Sequence, residues 1–228
     1  MSSSSSNNTK ASLQVYETLR QRILALELAP GERLNEKDIA AEFELSRTPV
    51  HEAVQRLTEE GLIEIRPRSG TFVARIPVHE LEEAMLVRTA LELAMIERAA
   101  QRLTPAALTR LDELLSEQRR CAETTDQPGF HRADEAFHAQ LAELAGFPGV
   151  WRTIAQAKTQ VDRFRRLTLP IQGRMQEVIA EHAAVVEGLR SGSAETAMAA
   201  MRRHLDHVLP AIALTRALQP DYFINLRA

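Results

Sequence analysis

The sequence predicts a mainly α fold in two parts: an N-terminal winged helix-turn-helix, then an all-α six-helix bundle. Three observations carry this. Hydrophobic residues make up 44% of the 228 residues but aromatics only 4%, so the interior must be built from Ala, Leu, Val and Ile, a mixture that favours packed helices over sheet. Alternation of period two is confined to two short runs, 62–65 and 71–74, on either side of Pro67-Arg68-Ser69-Gly70. Past Pro77 apolar residues recur at helical spacing almost to the end.

Each element follows in order. Residues 1–11, dominated by Ser2 to Ser6 and Asn7-Asn8, hold neither a core nor a signal-peptide stretch and are expected to form a disordered arm. Residues 12–76 form the winged helix-turn-helix. Its first helix opens at Ser12 as N-cap and runs to about residue 28, with Leu13, Tyr16, Leu19, Ile23 and Leu26 on one face. Pro30-Gly31 turns the chain. Asn35 caps a short second helix with Asp38 near its positive end, and Ser46 caps a third that stops at Gly61. The two alternating runs then make a β-ribbon. Residues 77–218 form the bundle, divided by Thr104-Pro105, Gly146 with Pro148, Pro170 and Ser191-Gly192-Ser193. Its six helices fall at about 79–103, 105–122, 128–145, 148–169, 171–190 and 193–217. Residues 219–228 are a tail.

Composition excludes several classes. A single cysteine, Cys121, rules out an intrachain disulfide framework and suits a reducing cytoplasm. No apolar run approaches ~18 residues, so no membrane span is expected. Net charge is −3, and residues 10–76 carry ten Lys/Arg against eleven Asp/Glu. A nucleic-acid-binding unit with that balance must place its positive groups locally.

Helix, turn, helix and ribbon is the layout that reads duplex DNA, with the start of the second motif helix against base edges. Arg47 and His51, four apart, share a face of that helix. Arg47 offers a fork to guanine O6/N7, Thr48 a phosphate or thymine-methyl contact, and Ser46 a phosphate contact. At the wing, Gly70 lets backbone approach the minor groove with Arg68 beside it. Pro30-Gly31-Glu32-Arg33-Leu34, Ser46-Arg47-Thr48-Pro49-Val50-His51-Glu52-Ala53-Val54 and Glu60-Gly61-Leu62 together resemble the DNA-binding end of GntR-type transcription regulators. The resemblance implies that Lys37, Ser46, Arg47, Thr48, His51 and Gly70 contact DNA. Two positions depart from the family pattern. His51 stands where arginine is usual, so base preference at one operator position is expected to differ. Glu44 stands where the turn usually has glycine, so it either forces a different turn or takes a strained left-handed conformation.

The bundle carries a second constellation. Asp134 and His138, four apart in Asp134-Glu135-Ala136-Phe137-His138, form a two-ligand edge for a divalent metal. His182 shares a stripe with Ile179, Val185, Val186 and Leu189, and His204 sits among Met201, Leu205 and Val208, so both point inward. Asp-x-x-Phe-His, then Glu-His, then Met-x-x-His-Leu resembles the FCD ligand domain of the FadR branch, and six helices rather than seven resemble its VanR-like subgroup. The resemblance implies a divalent metal (Zn, Ni, Mn or Fe) on Asp134, His138, His182 and His204. One carboxylate and three imidazoles leave coordination positions open for a small organic acid. Arg88, in an apolar stretch, is the candidate second anchor for its carboxylate, although an internal Arg88–Glu92 pair explains the same residues. Arg163, Arg165 and Arg166 are expected to form a solvated face.

The reading is a cytoplasmic, homodimeric, metabolite-responsive regulator, used as a repressor, that binds a two-fold symmetric double-stranded DNA operator. Two rivals remain: an acyl-thioester-responsive regulator without metal, and a metallohydrolase fused to a winged helix. The second lacks a His-Glu-x-x-His motif and an evident general base beyond the ligands.

Overall fold

A computed structural model describes residues 2–224, with side chains described from residue 8 onward. The chain divides into two compact units, Met1–Pro77 with Leu218–Ala228, and Val78–Ala217.

The first unit contains α1 (Ser2–Leu24), β1 (Arg33–Leu34), α2 (Glu36–Glu42), α3 (Arg47–Glu59), β2 (Ile63–Arg66), β3 (Gly70–Val73) and β4 (Ile76–Pro77), and the C-terminal end adds β5 (Phe223–Ile224). α1 begins at Ser2 rather than at the expected cap Ser12. No proline or glycine interrupts residues 2–24, so the helix runs back through the serines expected to be a disordered arm; Met1 of that arm lies outside the described residues. Ser12 is buried, and the inward stripe is Val15, Leu19 and Ile23, with Leu13 turned out. That stripe packs on Val50, Ala53, Val54 and Leu57 of α3 and on Leu62 and Val73 of the ribbon. Each such fully buried aliphatic side chain contributes about 1.5–3 kcal/mol.

Burial along α3 falls on Pro49, Val50, Ala53, Val54 and Leu57. This spacing leaves Arg47, Thr48, His51, Glu52 and Gln55 on the exposed face. Asn35 caps α2 by accepting from the Lys37 N–H at 3.0 Å. The turn between the two helices contains Glu44 at φ +54, so of the two alternatives for this position the chain takes the left-handed one. Gly61, at φ +67, follows α3 as the sequence predicts.

The ribbon is antiparallel, from Ile63↔Val73 to Arg66↔Gly70. Its turn places Arg68 at φ +63 and closes with the Ser69 N–H donating to the Arg66 carbonyl at 3.0 Å. A third strand, β1, pairs with the other edge of β3 through Arg33↔Phe72, giving the order β1-β3-β2. Two residues are too few for alternation to announce a strand. The tail also finds a place: β5 pairs in parallel with β4, Ile76 opposite Phe223, and Phe223 is buried. Residues 225–228 of the expected tail lie outside the described residues.

The second unit is all helix: α4 (Val78–Gln101), α5 (Pro105–Glu123), α6 (Gln127–Leu144), α7 (Pro148–Ala157), α8 (Thr159–Thr168), α9 (Arg174–Arg190), α10 (Ala194–Asp206) and α11 (Val208–Leu218). Two of the six expected helices are each broken by one residue. Lys158 separates α7 from α8, its fully buried ammonium held by Glu135 at 2.7 Å and Asp162 at 2.5 Å. His207 separates α10 from α11, where Pro210 has no N–H to offer the carbonyl four residues back. Thr104 caps α5 as expected, accepting from the Ala107 N–H at 3.2 Å.

α9 and α10 approach closely at Gly188. A Cβ there would stand 2.5 Å from the Ala197 backbone nitrogen and 2.7 Å from its Cα, and backbone cannot give way as a side-chain end can. Gly188→Ala is therefore expected to cost about 1–3 kcal/mol, read as a lower urea midpoint. An unchanged midpoint would mean the two helices have room to spare.

Candidate metal centre and nucleic-acid interface

The side chains of His138 on α6, His182 on α9 and His204 on α10 converge, with ligand atoms all within 4.8 Å of one another. Their exposures are 0%, 0% and 4%. Phe137 stacks on His182 with ring centroids 4.2 Å apart, and Trp151 stacks on His138 at 5.7 Å.

The partners of each ring settle which nitrogen carries the proton. Gln118 on α5 donates its Nε2–H to the Ala133 carbonyl at 3.4 Å. Its Oε1 therefore faces His182 Nδ1, at 3.0 Å, as an acceptor. Glu181 Oε2 lies 2.6 Å from His204 Nδ1. Arg88 Nη2, which can only donate, lies 2.9 Å from His138 Nε2. The His138 proton is thus on Nδ1, which stands 2.6 Å from Glu92 Oε2 but out of line for a straight hydrogen bond. All three rings hold their protons outward on Nδ1 and turn Nε2 lone pairs inward. His182 Nε2 and His204 Nε2 face each other at 3.3 Å. Two lone pairs at that distance repel unless a cation lies between them, and imidazole nitrogens suit zinc, nickel or iron.

Electrostatics keep His182 and His204 neutral. Burial, reinforced by His204, pushes His182 well below the ordinary 6.5. Burial also lowers His204 to about 4 despite its bond to Glu181. Glu181 is disfavoured by burial as an anion, yet the His204 hydrogen bond and Arg174 bring it down to about 2.

Asp134, the fourth sequence-predicted ligand, stands apart from the trio. It is fully buried, and both its oxygens are held by Arg165 of α8, Oδ2 at 2.5 Å from Nη1 and Oδ1 at 2.6 Å from Nη2. Its nearest approach to the trio is 3.8 Å, from Oδ1 to His182 Nε2. Burial opposes its ionisation, but Arg165 outweighs burial and holds the carboxyl well below its usual range. Arg165 and Arg163 are buried and Arg166 is half-buried, so the solvated face expected of these arginines is overturned. Arg165 lies one helical turn from Val161, on the inward stripe with Phe164 and Thr168.

Arg88 is 1% exposed and bonds Glu92 through Nε at 2.5 Å. The internal pair is present, yet Nη1 remains buried with no hydrogen-bond partner. Sequence reasoning missed Gln118, the Glu181 contact and Arg165. Their signal was polar character at inward positions: Gln118 continues the stripe of Leu111, Leu114 and Leu115 on α5.

In the first unit the ten Lys/Arg of residues 10–76 sort by partner. Arg20 pairs with Glu60 at 2.8 Å, Arg22 with Glu42 at 3.0 Å, and Arg66 with Glu64. Arg56 lies over the Tyr16 ring at 4.0 Å, and Arg75 donates to the Asp221 carbonyl at 2.7 Å. The side chains of Lys10, Arg33, Lys37, Arg47 and Arg68 are exposed and have no such partner among the described residues. Three of these five are sequence-predicted contacts; Arg33 was missed because β1 was not foreseen. Its guanidinium borders Gly70, where a Cβ would stand 3.2 Å from Arg33 Nε. Gly70 is at φ +124. The Ser46 hydroxyl makes no cap bond, and Thr48 is exposed. His51 is not wholly free: its Nδ1 is 3.3 Å from Glu36 Oε2.

Residues 11–73 match the bacterial regulatory proteins of the gntR family, and residues 83–207 match the FCD domain. An HTH-type transcriptional regulator from an unstable DNA locus of Streptomyces ambofaciens is 38% identical over 92% of this chain and 88% of its own length. The HTH-type transcriptional repressor RspR of Escherichia coli K12 is 31% identical over 92% of each chain. Escherichia coli McbR/YncC, at 24% identity, shares the fold with a TM-score of 0.72 over 91% of this chain and 98% of its own. The chain belongs to the GntR family, in the FadR branch that joins a winged helix-turn-helix to an FCD domain. It is a DNA-binding transcription regulator with an effector-binding domain, in a family of regulators rather than enzymes. No described helix is long and apolar enough to cross a membrane.

The neutral buried imidazoles bear on stability. Between pH 6.5 and about 4 the unfolded chain takes up protons that folded His204 refuses, so stability falls as pH falls through that window. For a shift of this size the loss is on the order of 3 kcal/mol. Urea unfolding with chelator present is expected to show stability rising from pH 4 to 6.5, with the slope reduced in His204→Gln. A flat profile would mean the rings are charged or accessible in the fold.

Proposed function

We propose that the FCD domain binds a divalent metal through His138, His182 and His204, with Asp134 alongside. A small carboxylate effector docks beside it at Arg88. The observation that carries the metal is the pair of Nε2 lone pairs 3.3 Å apart on His182 and His204. Bound there, the ion would supply an electrophilic centre for an acid's oxygen. Gln118, Glu181 and Glu92 hold the rings for it, as carboxylate or amide partners commonly do behind metal-bound histidines. The unpartnered Arg88 Nη1 offers one carboxylate oxygen a charge-assisted hydrogen bond. An acyl-thioester pocket without metal gives the facing lone pairs of His182 and His204 no role.

The protein works as a homodimer in the cytoplasm and represses transcription from a two-fold symmetric operator. Symmetry supports this, because a closed dimer presents two identical readers to two half-sites, and RspR carries the name of a repressor. Arg47 and Thr48 read base edges with His51. Ser46, Lys37 and Arg68 position the reader on phosphates, and Gly70 admits the wing. Effector binding changes operator affinity, and operator binding changes effector affinity by the same factor.

Metal analysis of purified protein is expected to find the ion in the parent and not in His204→Ala. Chelator should lower the parent Tm by several degrees, since a ligand at a hundred times its Kd adds about 2.7 kcal/mol. An equal Tm with and without chelator would leave the site without an ion. On DNA, Arg47→Ala is expected to cost about 1–3 kcal/mol and relax preference at one operator position. Arg33→Gln is expected to weaken binding to all sequences alike and to flatten the salt dependence by about one phosphate contact. Gel shifts over a salt series separate the two, and an unchanged slope in Arg33→Gln would remove Arg33 from the interface.

A further inference from the structure

The charges around the three imidazoles are already matched. On one side Arg88 faces Glu92 at 2.5 Å, and on the other Arg165 holds both oxygens of Asp134. Behind His204, Glu181 is met by Arg174 at 3.0 Å. The rings are neutral by the hydrogen-bond logic above. Each anion that borders the trio therefore has its own guanidinium, and the pocket has no negative charge to spare.

A divalent ion on neutral imidazoles brings two positive charges into such a pocket. Buried charge without a counter-charge is strongly disfavoured, far more than in water. In a site with a free carboxylate ligand, that ligand would supply one of the missing charges. Here Asp134 is committed to Arg165, and releasing it would strand a buried guanidinium instead. The compensation has to arrive with the effector. Arg88 Nη1, buried and without a partner, gives one anionic group a place to dock beside the trio.

We infer that the effector is a dianion, a small dicarboxylate taken up together with the metal, because the Arg165–Asp134 and Arg88–Glu92 pairs leave the pocket neutral. This rests on the metal reading above and sharpens it from any small acid to one carrying two charges. Metal and dianion each bind weakly alone and strengthen one another by the same factor.

The test is calorimetric titration of zinc into chelator-treated full-length protein. It is run alone and with malonate, succinate or glutarate, each compared with its monoamide, and blanks without protein correct for chelation in solution. At least one dicarboxylate is expected to tighten zinc binding about tenfold more than its monoamide, within the roughly 5–150-fold range usual for coupled sites. If every dicarboxylate and its monoamide act alike while zinc binds, the inference falls and the metal reading stands. If zinc does not bind under any condition, both fall. Arg165→Met gives a second handle. It frees the Asp134 charge, so the dicarboxylate advantage should shrink, whereas Arg165→Lys keeps the pair and should retain it. An undiminished advantage in a folded Arg165→Met protein would overturn the role assigned to the pair.

Discussion

The second unit is organised around a constraint on three protons. Gln118, Glu181 and Glu92 stand at the Nδ1 side of His182, His204 and His138, so the opposite nitrogen of each ring points to one place. Six helices must keep their relative depth for this to hold, since the rings sit on α6, α9 and α10 and the groups behind or beside them on α4, α5 and α8. Rotation of any one by a turn fraction would exchange an acceptor for an apolar neighbour. The surrounding apolar packing, with Phe137 against one ring and Trp151 against another, makes such rotation costly.

The first unit solves a different electrostatic problem. A segment with more acids than bases still has to approach a polyanion. It does so by tying half of its cations into internal contacts and leaving Lys10, Arg33, Lys37, Arg47 and Arg68 without them. The last four lie on β1, α2, α3 and the ribbon turn, the elements that a winged helix presents to a duplex. Net charge is a poor guide to such a unit, because what matters is which charges already have company.

Much of this was legible in the sequence, and the parts that were not have physical reasons. Periodicity and caps located α2, α3, the ribbon and the bundle helices, because Asn35, Thr104 and Pro148 act within a few residues. The start of α1 was misplaced, since a run of serines has poor intrinsic helix propensity and propensity is only a weak prior. The inward histidines could be read from their stripes, and they do meet. The state of Asp134 could not be read, because its partner Arg165 is thirty-one residues away on another helix and arginine is usually a surface residue. Arg33 escaped notice because a two-residue strand has no period.

The pairing of β4 with β5 makes the first unit discontinuous in sequence. The polypeptide leaves the DNA-reading unit at Pro77 and comes back at Leu218. The segments just before the exit and just after the return lie side by side, Ile76 against Phe223. Phe223 is buried, so the returning segment is built into the first unit as a strand rather than left as a loose end.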